Sequence, residues 1–398
     1  MRELIVIQNK EEKQIAFIED GIVKEYYKEK EDKKRLEGNI YVGKVVDVLP
    51  GMQAAFVDIG EEKNTFLHIR DLLPKKSNIT GNKEEDLEKY NIKDYIKPNQ
   101  MILLQVKKDA TQIKGARVST NIQIPGRFAI ILPENDFITV SQKIESKEEK
   151  NRLVEIINKV KKDRKLGIIV RTAAEGKDEK LIVKDIESTI RKLEEIENRF
   201  NKVKDKNKPT ILKNSDTILE KILLDLVDNN LDKIWVNKEE LKIKIENIIN
   251  EVQENIKVKL ECQKQDLENK YDLLKQVEKI ESRKIWLKCG GFITIDKTEA
   301  LTAIDVNSGK FTGKQNLEQT VVKVNKEASI EIAKQLRLRD IGGIIIIDYI
   351  DMNEEKSKEE VVETLKQSLK QDRAKTQIMQ FTKLNLLEMT RKHMFSSE

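Results

Sequence analysis

The stretch Ile341-Gly-Gly-Ile-Ile-Ile-Ile-Asp348 constrains this chain more than any other. Four consecutive β-branched isoleucines, bounded by glycine and aspartate, read as a central buried strand of an α/β unit. A helix is expected before it, because Leu317, Val321, Val324, Ala328, Ile332 and Leu336 fall on one stripe. After it, Asn353 reads as the cap of a second helix running to Gln371. Two strands, Phe292–Ile295 and Leu301–Asp305, precede the first helix and are joined by a polar turn. Leu301-Thr-Ala-Ile closes on Asp305 as the isoleucine run closes on Asp348.

That repeated ending carries chemistry. In open α/β sheets, ligands sit beyond the carboxyl ends of the strands. If the two strands are neighbours, the Asp305 and Asp348 carboxylates lie within reach of one divalent cation. Mg²⁺ prefers hard oxygens and keeps several waters, so two carboxylates suffice to anchor it. Asn307, two residues after Asp305, adds an amide oxygen on the same side. By residue type alone, either aspartate also reads as an N-cap or turn former, and that reading stays open. Asp351 reads equally as a turn former, and Asp340 is expected to pair with Arg337 or Arg339.

The rest of the chain alternates differently. Leu4–Gln8, Gln14–Glu19 and Ile22–Tyr27 read as short strands, followed by a charged run to Arg35. Tyr41–Leu49, a Pro50-Gly51 turn, Ala54–Ile59, Thr65–His68 and Met101–Lys107 suggest a small barrel, with a polar loop and short helix over Lys75–Pro98. Phe128–Leu132 and Gly167–Arg171 are strand signals among charged helices at Lys147–Lys162 and Glu179–Asn201. Lys206–Thr210 reads as a linker. Beyond it come Asp216–Asp228, Lys238–Asn250 and Asp266–Ser282 as helices, with Lys233–Val236 and Ile256–Glu261 as strands.

Two of these regions suit nucleic acid. Phe56 and Phe66, on adjacent barrel strands, offer a stacking platform for bases, with Lys44, Lys108 and Lys114 to neutralise phosphate. Both phenylalanines fit a barrel core equally well. In Gly167-Ile-Ile-Val-Arg171-Thr172-Ala-Ala-Glu-Gly176, a strand runs into a planar fork and a hydroxyl, which suits a terminal phosphate; an ordinary surface arginine is the plainer reading.

Composition narrows the classes. With 75 Lys and Arg against 70 Asp and Glu, a net charge of +5 is too balanced to argue nucleic-acid binding by itself. With two histidines, His68 and His393, a histidine-based mechanism is not expected, leaving carboxylates, metal or lysine. Cys262 and Cys289 build neither a disulfide framework nor a four-thiolate zinc site, which points to a reducing cytoplasm. No apolar run is long enough to span a bilayer, and the apolar start is too short for a signal peptide. No phosphate-cradling Walker loop or dinucleotide fingerprint is present.

Taken together, Gly291-Phe-Ile-Thr-Ile-Asp, Leu301-Thr-Ala-Ile-Asp-Val-Asn-Ser-Gly, Ala333 through Met352, Gln371-Asp-Arg-Ala-Lys and Leu386-Leu-Glu-Met-Thr-Arg resemble the ribonuclease E/G family of bacterial endoribonucleases. The barrel resembles that family's S1 module, and Ile169-Val-Arg-Thr-Ala resembles its 5′-end sensor. The resemblance implies an α+β multi-subdomain chain. An RNase H-like subdomain would comprise 1–37 and 213–282, interrupted by an S1 (OB-fold) barrel at 38–120 and a 5′-sensor module at 121–212. A DNase I-like α/β catalytic subdomain would follow at 283–398.

It further implies that Asp305 and Asp348 hold a catalytic Mg²⁺ and that Asn307 orients the scissile phosphate or attacking water. Phe56, Phe66, Lys108 and Lys114 would contact single-stranded RNA. Gly126, Ile130, Arg171 and Thr172 would form a 5′-monophosphate pocket, with Arg373 as a further phosphate contact. The implied reaction is cytoplasmic cleavage of AU-rich RNA, in rRNA processing and mRNA decay, leaving 5′-phosphate and 3′-hydroxyl ends. Two departures stand out. The family's Cys-Pro-x-Cys zinc link and small domain do not appear up to Glu398, so zinc and a zinc-linked dimer are not expected, while a homo-oligomer stays open. Gln142-Lys143 stands where the family often has paired arginines, which removes the bidentate fork. A non-catalytic S1-type RNA-binding or ribosome-associated protein is the rival reading.

Overall fold

The computed structural model describes residues 1–30, 35–73, 89–110, 114–227, 230–252, 258–264, 266–309, 317–370 and 372–394. Parts of the charged run before Arg35, of the Lys75–Pro98 loop and of the Ile256–Glu261 strand lie outside the described residues, as does the Gln371 helix end. The chain divides into two compact units. One is Met1–Asp32, Val227–Asn247 and Asn255–Glu398; the other is Lys33–Leu226 and Ile248–Glu254.

The first unit contains two sheets. Arg2–Gln8, Glu12–Glu19 and Ile22–Lys30 form an antiparallel meander. Lys233–Val236 joins the Arg2–Gln8 strand in parallel, and Lys259–Cys262 joins Lys233–Val236. Ile5, Ile7, Ala16 and Ile18 pack there with Leu267, Leu273 and Ile280. The expected single helix over Asp266–Ser282 is instead a 3₁₀ turn, Leu267–Asp272, and a helix, Leu273–Glu281. Tyr271 and Asp272 take φ of 57° and 51°, which breaks the helical path between them.

The second sheet has six strands in the order Lys284–Trp286, Phe292–Lys297, Leu301–Asn307, Gly343–Asp348, Leu386–Arg391, Thr376–Phe381. Helices Leu317–Leu338 and Glu355–Leu369 supply Val324, Ala328, Ile332, Leu336, Val361 and Leu365 to a core against Ile293, Ile304, Ile345 and Ile347. Among the described residues, these helices cover one face. The isoleucine strand is central in order, but Ile344 is 50% exposed while Ile345 and Ile347 are buried. The expectation of burial on both faces is therefore corrected: a run of identical side chains hides the period-2 alternation that the covering helices impose. The second helix begins at Glu355 with Glu354 at its cap, so Asn353 is not the N-cap; its amide groups donate to Glu318 instead.

In the second unit, Ile40–Leu49, Ala54–Asp58, Thr65–His68, Arg117–Ser119 and Met101–Lys108 pair in that order, and the last strand closes back on the first. This is a five-stranded barrel, with Ala55, Val57, Leu67, Leu104, Val106 and Val118 inside. Gly43 is required where strands approach closely: a Cβ there would meet Val57 Cγ1 at 2.7 Å and Leu104 Cδ2 at 2.9 Å. Thr210–Lys213, expected to follow a linker, adds a strand beside Ile40–Leu49. A separate four-stranded sheet orders Phe137–Val140, Leu166–Val170, Ala129–Pro133 and Ile124–Pro125. Helices Lys147–Lys161 and Glu179–Val203 cover it, burying Leu153, Ile157, Ile182, Ile186 and Ile190 with Ile131 and Ile168. Among the described residues, no helix is long and apolar enough to cross a membrane.

Candidate active site

Asp305 and Asp348 are brought together by strand register. Leu301–Asn307 and Gly343–Asp348 run parallel, and Asp305 is paired directly with Asp348. Adjacent strands lie about 4.8 Å apart, so the two carboxylates emerge side by side. Both are on the face that the helices leave open, and both are exposed. The alternation explains why: Ile304, Val306 and Ile347 point into the core, which sends Asp305, Asn307 and Asp348 the other way. Asn307 Nδ2 donates to Asp305 Oδ2 at 2.5 Å, which fixes the amide beside the acid pair. Partial burial, then the charges of Asp305 and Asp351, push the Asp348 carboxyl above the usual carboxylate range. Like charges so placed favour a cation between them.

The donor chemistry fits a hard divalent ion. Two carboxylates and an amide oxygen are oxygen donors, and they sit on an open face with room for water. Among the described residues, no group of three or more His, Cys, Asp or Glu converges as a metal cage.

The barrel carries the predicted RNA-facing residues. Phe56 and Phe66 are direct cross-strand partners, half-buried, with ring centroids 6.2 Å apart at 65°. Phe66 is paired with Arg117, and Arg117 with Lys108, so one row crosses the barrel as Phe56, Phe66, Arg117, Lys108. Lys114 is exposed just ahead of the Arg117 strand, where Gly115 packs so closely on Asn64 that a Cβ would meet its carbonyl oxygen at 2.1 Å. Arg117 was not singled out from sequence. It holds Asp71 through two guanidinium nitrogens, each at 2.7 Å. The three-residue strand carrying it gave no periodic signal.

Gly126, Arg171 and Thr172 meet at one corner of the four-stranded sheet. Arg171 Nη1 donates to the Gly126 carbonyl at 3.0 Å, and Nη2 lies 2.7 Å from Asp225. The Thr172 hydroxyl shares a 2.8 Å bond with Ser141. Ile130 lies opposite Ile169, two residues before Arg171. Gly126 has no space for a side chain: a Cβ would meet Thr189 Oγ1 at 2.5 Å and Asp185 Oδ2 at 2.8 Å. Asp225 is a further residue that sequence did not reveal, since a lone acid on an amphipathic helix looks like surface. Arg373 belongs to the first unit and pairs there with buried Glu25 and with the Tyr27 hydroxyl. The Asp340 amide donates to the Arg337 carbonyl at 3.4 Å. Its carboxylate accepts from Arg391 at 2.8 Å, because the turn after Leu338 folds it back toward the last long strand.

Comparison with known proteins completes the picture. A family model described as ribonuclease E/G family matches residues 123–394. The chain belongs to the ribonuclease E/G family. Membership makes it an endoribonuclease acting in RNA processing and decay. Ribonuclease G of Salmonella typhimurium is 37% identical over 98% of this chain and 79% of the relative. Ribonuclease G of Haemophilus influenzae is 36% identical over the same shares. Ribonuclease E of Synechocystis is 35% identical over 89% of this chain and 52% of the relative.

Proposed function

We propose that this chain cleaves single-stranded, AU-rich RNA internally in the cytoplasm, with Mg²⁺ held by Asp305 and Asp348 and with stimulation by a 5′-monophosphate. The observation that carries the reading is the parallel register that sets Asp305 beside Asp348 on an open sheet face. Bound there, Mg²⁺ would activate water and stabilise charge developing on the phosphodiester. Asn307, tied to Asp305, orients the scissile phosphate or the attacking water. Cleavage of this polarity leaves 5′-phosphate and 3′-hydroxyl ends. Phe56 and Phe66 stack bases, while Lys108 and Lys114 neutralise phosphates along the strand. Gly126, Ile130, Arg171 and Thr172 receive a terminal phosphate. On this reading the S1 barrel and the 5′ sensor fall in the second unit and the DNase I-like subdomain in the first, while the RNase H-like segments, 1–37 and 213–282, fall partly in each.

The test mixes the full chain with a 5′-monophosphorylated, single-stranded AU-rich oligoribonucleotide, in Mg²⁺ or in EDTA, beside Asp305→Asn. Internal cleavage that needs Mg²⁺ and vanishes in the variant supports the assignment. Binding with no cleavage in either protein returns the function to the rival RNA-binding reading.

A further inference from the structure

Trp286 is 63% exposed, and it stands in register with the acid pair. It pairs across the sheet with Phe292, and Phe292 pairs with Asn307. The next row on the same face runs Lys284, Thr294, Asp305, Asp348. At about 4.8 Å per strand, Phe292 is one strand and Trp286 two strands from Asn307. The two rings meet edge to face, with centroids 5.3 Å apart at 61°. Lys284 Nζ lies 3.6 Å from the Phe292 ring centroid and 4.2 Å from that of Trp286. An exposed aromatic needs no explanation by itself. Here two rings and a cation share the open face with two acids and an amide, in consecutive rows.

That combination selects its ligand. Every base has a π-face that stacks on an aromatic ring, and a lysine beside the ring matches the phosphate that accompanies the base. The rings are framed by Lys284, Thr294 and Asn307, which suits a planar polar group better than an apolar protein surface. We propose that Trp286 and Phe292 form a stacking subsite for the nucleobase beside the scissile phosphate, with Lys284 on the adjacent phosphate. The subsite rests on the nuclease assignment of Asp305 and Asp348. It tolerates any base, because stacking reads no hydrogen-bonding edge.

The chain has two tryptophans, so Trp235→Phe leaves Trp286 as the sole indole reporter. In a Trp235→Phe, Asp305→Asn protein, titration with the 5′-monophosphorylated oligoribonucleotide should quench Trp286 fluorescence. In the otherwise native chain, Trp286→Ala should raise KM about tenfold with kcat within about twofold, and Trp286→Phe should restore most of the loss. An abasic nucleotide beside the cleavage site should weaken the native chain but not Trp286→Ala. Asp305-dependent cleavage with unchanged KM in Trp286→Ala and no quenching would overturn the subsite and leave the nuclease standing. Quenching without metal-dependent cleavage would show base stacking on Trp286 but no scissile phosphate beside it, overturning the nuclease reading and the subsite with it. If Trp286→Ala instead dissociates an oligomer in light scattering with RNA affinity unchanged, the face is a protein interface and the proposal fails.

Discussion

The six-stranded sheet holds two pairs of aspartates in contrasting settings. Asp340 and Asp372 are buried on the covered side, where they enclose the guanidinium of Arg391, itself 2% exposed. Asp372 Oδ2 accepts from Nε at 2.7 Å, Asp340 Oδ1 from Nη1 at 2.8 Å, and the Ile341 carbonyl accepts from Nη1 at 2.8 Å. Burial works against the charge on Arg391, but the bonds to Asp372 and Asp340 outweigh it and raise its pKa. Asp305 and Asp348 stand on the open side, and among the described residues neither has an ion-pair partner; Asp348 is raised in pKa. Carboxylates that serve the fold come with their cation supplied by the chain. On the proposed reading, those that serve chemistry face the solvent and leave the cation to be recruited.

The largest effect expected from breaking this contrast is catalytic. Asp305→Asn should lower the cleavage rate by about 10³ or more, equivalent to at least about 4 kcal/mol in the barrier. The same change should leave the melting temperature level or slightly higher, because it removes one of two adjacent like charges. A variant that loses activity and unfolds earlier would make Asp305 a structural acid like Asp340. Next comes the opposite substitution. Arg391→Met keeps the volume but strands two buried carboxylates, which should cost about 3–5 kcal/mol, read as a fall in the urea midpoint. If the midpoint is unchanged, the buried triad contributes nothing to stability and the distinction collapses.

The open pair was half legible in the sequence, and the buried one was not. An aspartate closing an apolar run marks the end of a strand, and two such endings in a strand–helix–strand unit suggest neighbours. The parallel register of Asp305 on Asp348 is a property of pairing, which no local pattern encodes. The strands Lys284–Trp286, Thr376–Phe381 and Leu386–Arg391 were missed for a related reason. The first two are edge strands with one neighbour each, and their polar residues match no simple alternation. Arg391 could not be read as core at all, because an arginine is buried only when its partners, here 19 and 51 residues away, are already in place. The barrel fared better: Thr65–His68 alternates, since a closed sheet keeps one face inside along a strand, while Ile40–Leu49 breaks its alternation at an irregularity between Val45 and Asp47.

The corner proposed to take a 5′-phosphate offers an intermediate case, a cation already partnered by an acid. Arg171 is shared between the Gly126 carbonyl and Asp225, so an incoming phosphate meets a guanidinium held in place. Arg171→Ala should reduce cleavage of 5′-monophosphorylated RNA about tenfold and leave 5′-hydroxyl RNA nearly unchanged, the scale of a hydrogen bond to a charged group. Equal loss on both substrates would remove the sensor role and make Arg171 a partner of Asp225 only.

Glu149 supplies the smallest effect and the finest test, since its side chain is 17% exposed but its cation, Arg152, reaches solvent. It makes a two-pronged bond with Arg152, each at 2.7 Å, and accepts from the Gly176 amide at 2.9 Å, pinning the turn that follows Thr172. The bond from Arg152, aided by Gly176 and opposed by burial, lowers its pKa from 4.5 to about 2. A folded-state pKa below the unfolded value means the ionised form favours folding; that contribution is full above about pH 4.5 and is lost as the pH falls toward about 2. Arg152 is 38% exposed, so solvent screening holds the gain to about 1 kcal/mol or less. Glu149→Gln keeps the shape and removes the charge. Its melting temperature should lie a few degrees below that of the native chain at neutral pH, and the gap should close as the pH falls from 4.5 toward 2. A gap that stays constant through that window would show that shape, not charge, holds the turn, and the ordering of the three carboxylate settings by their cations would lose its third member.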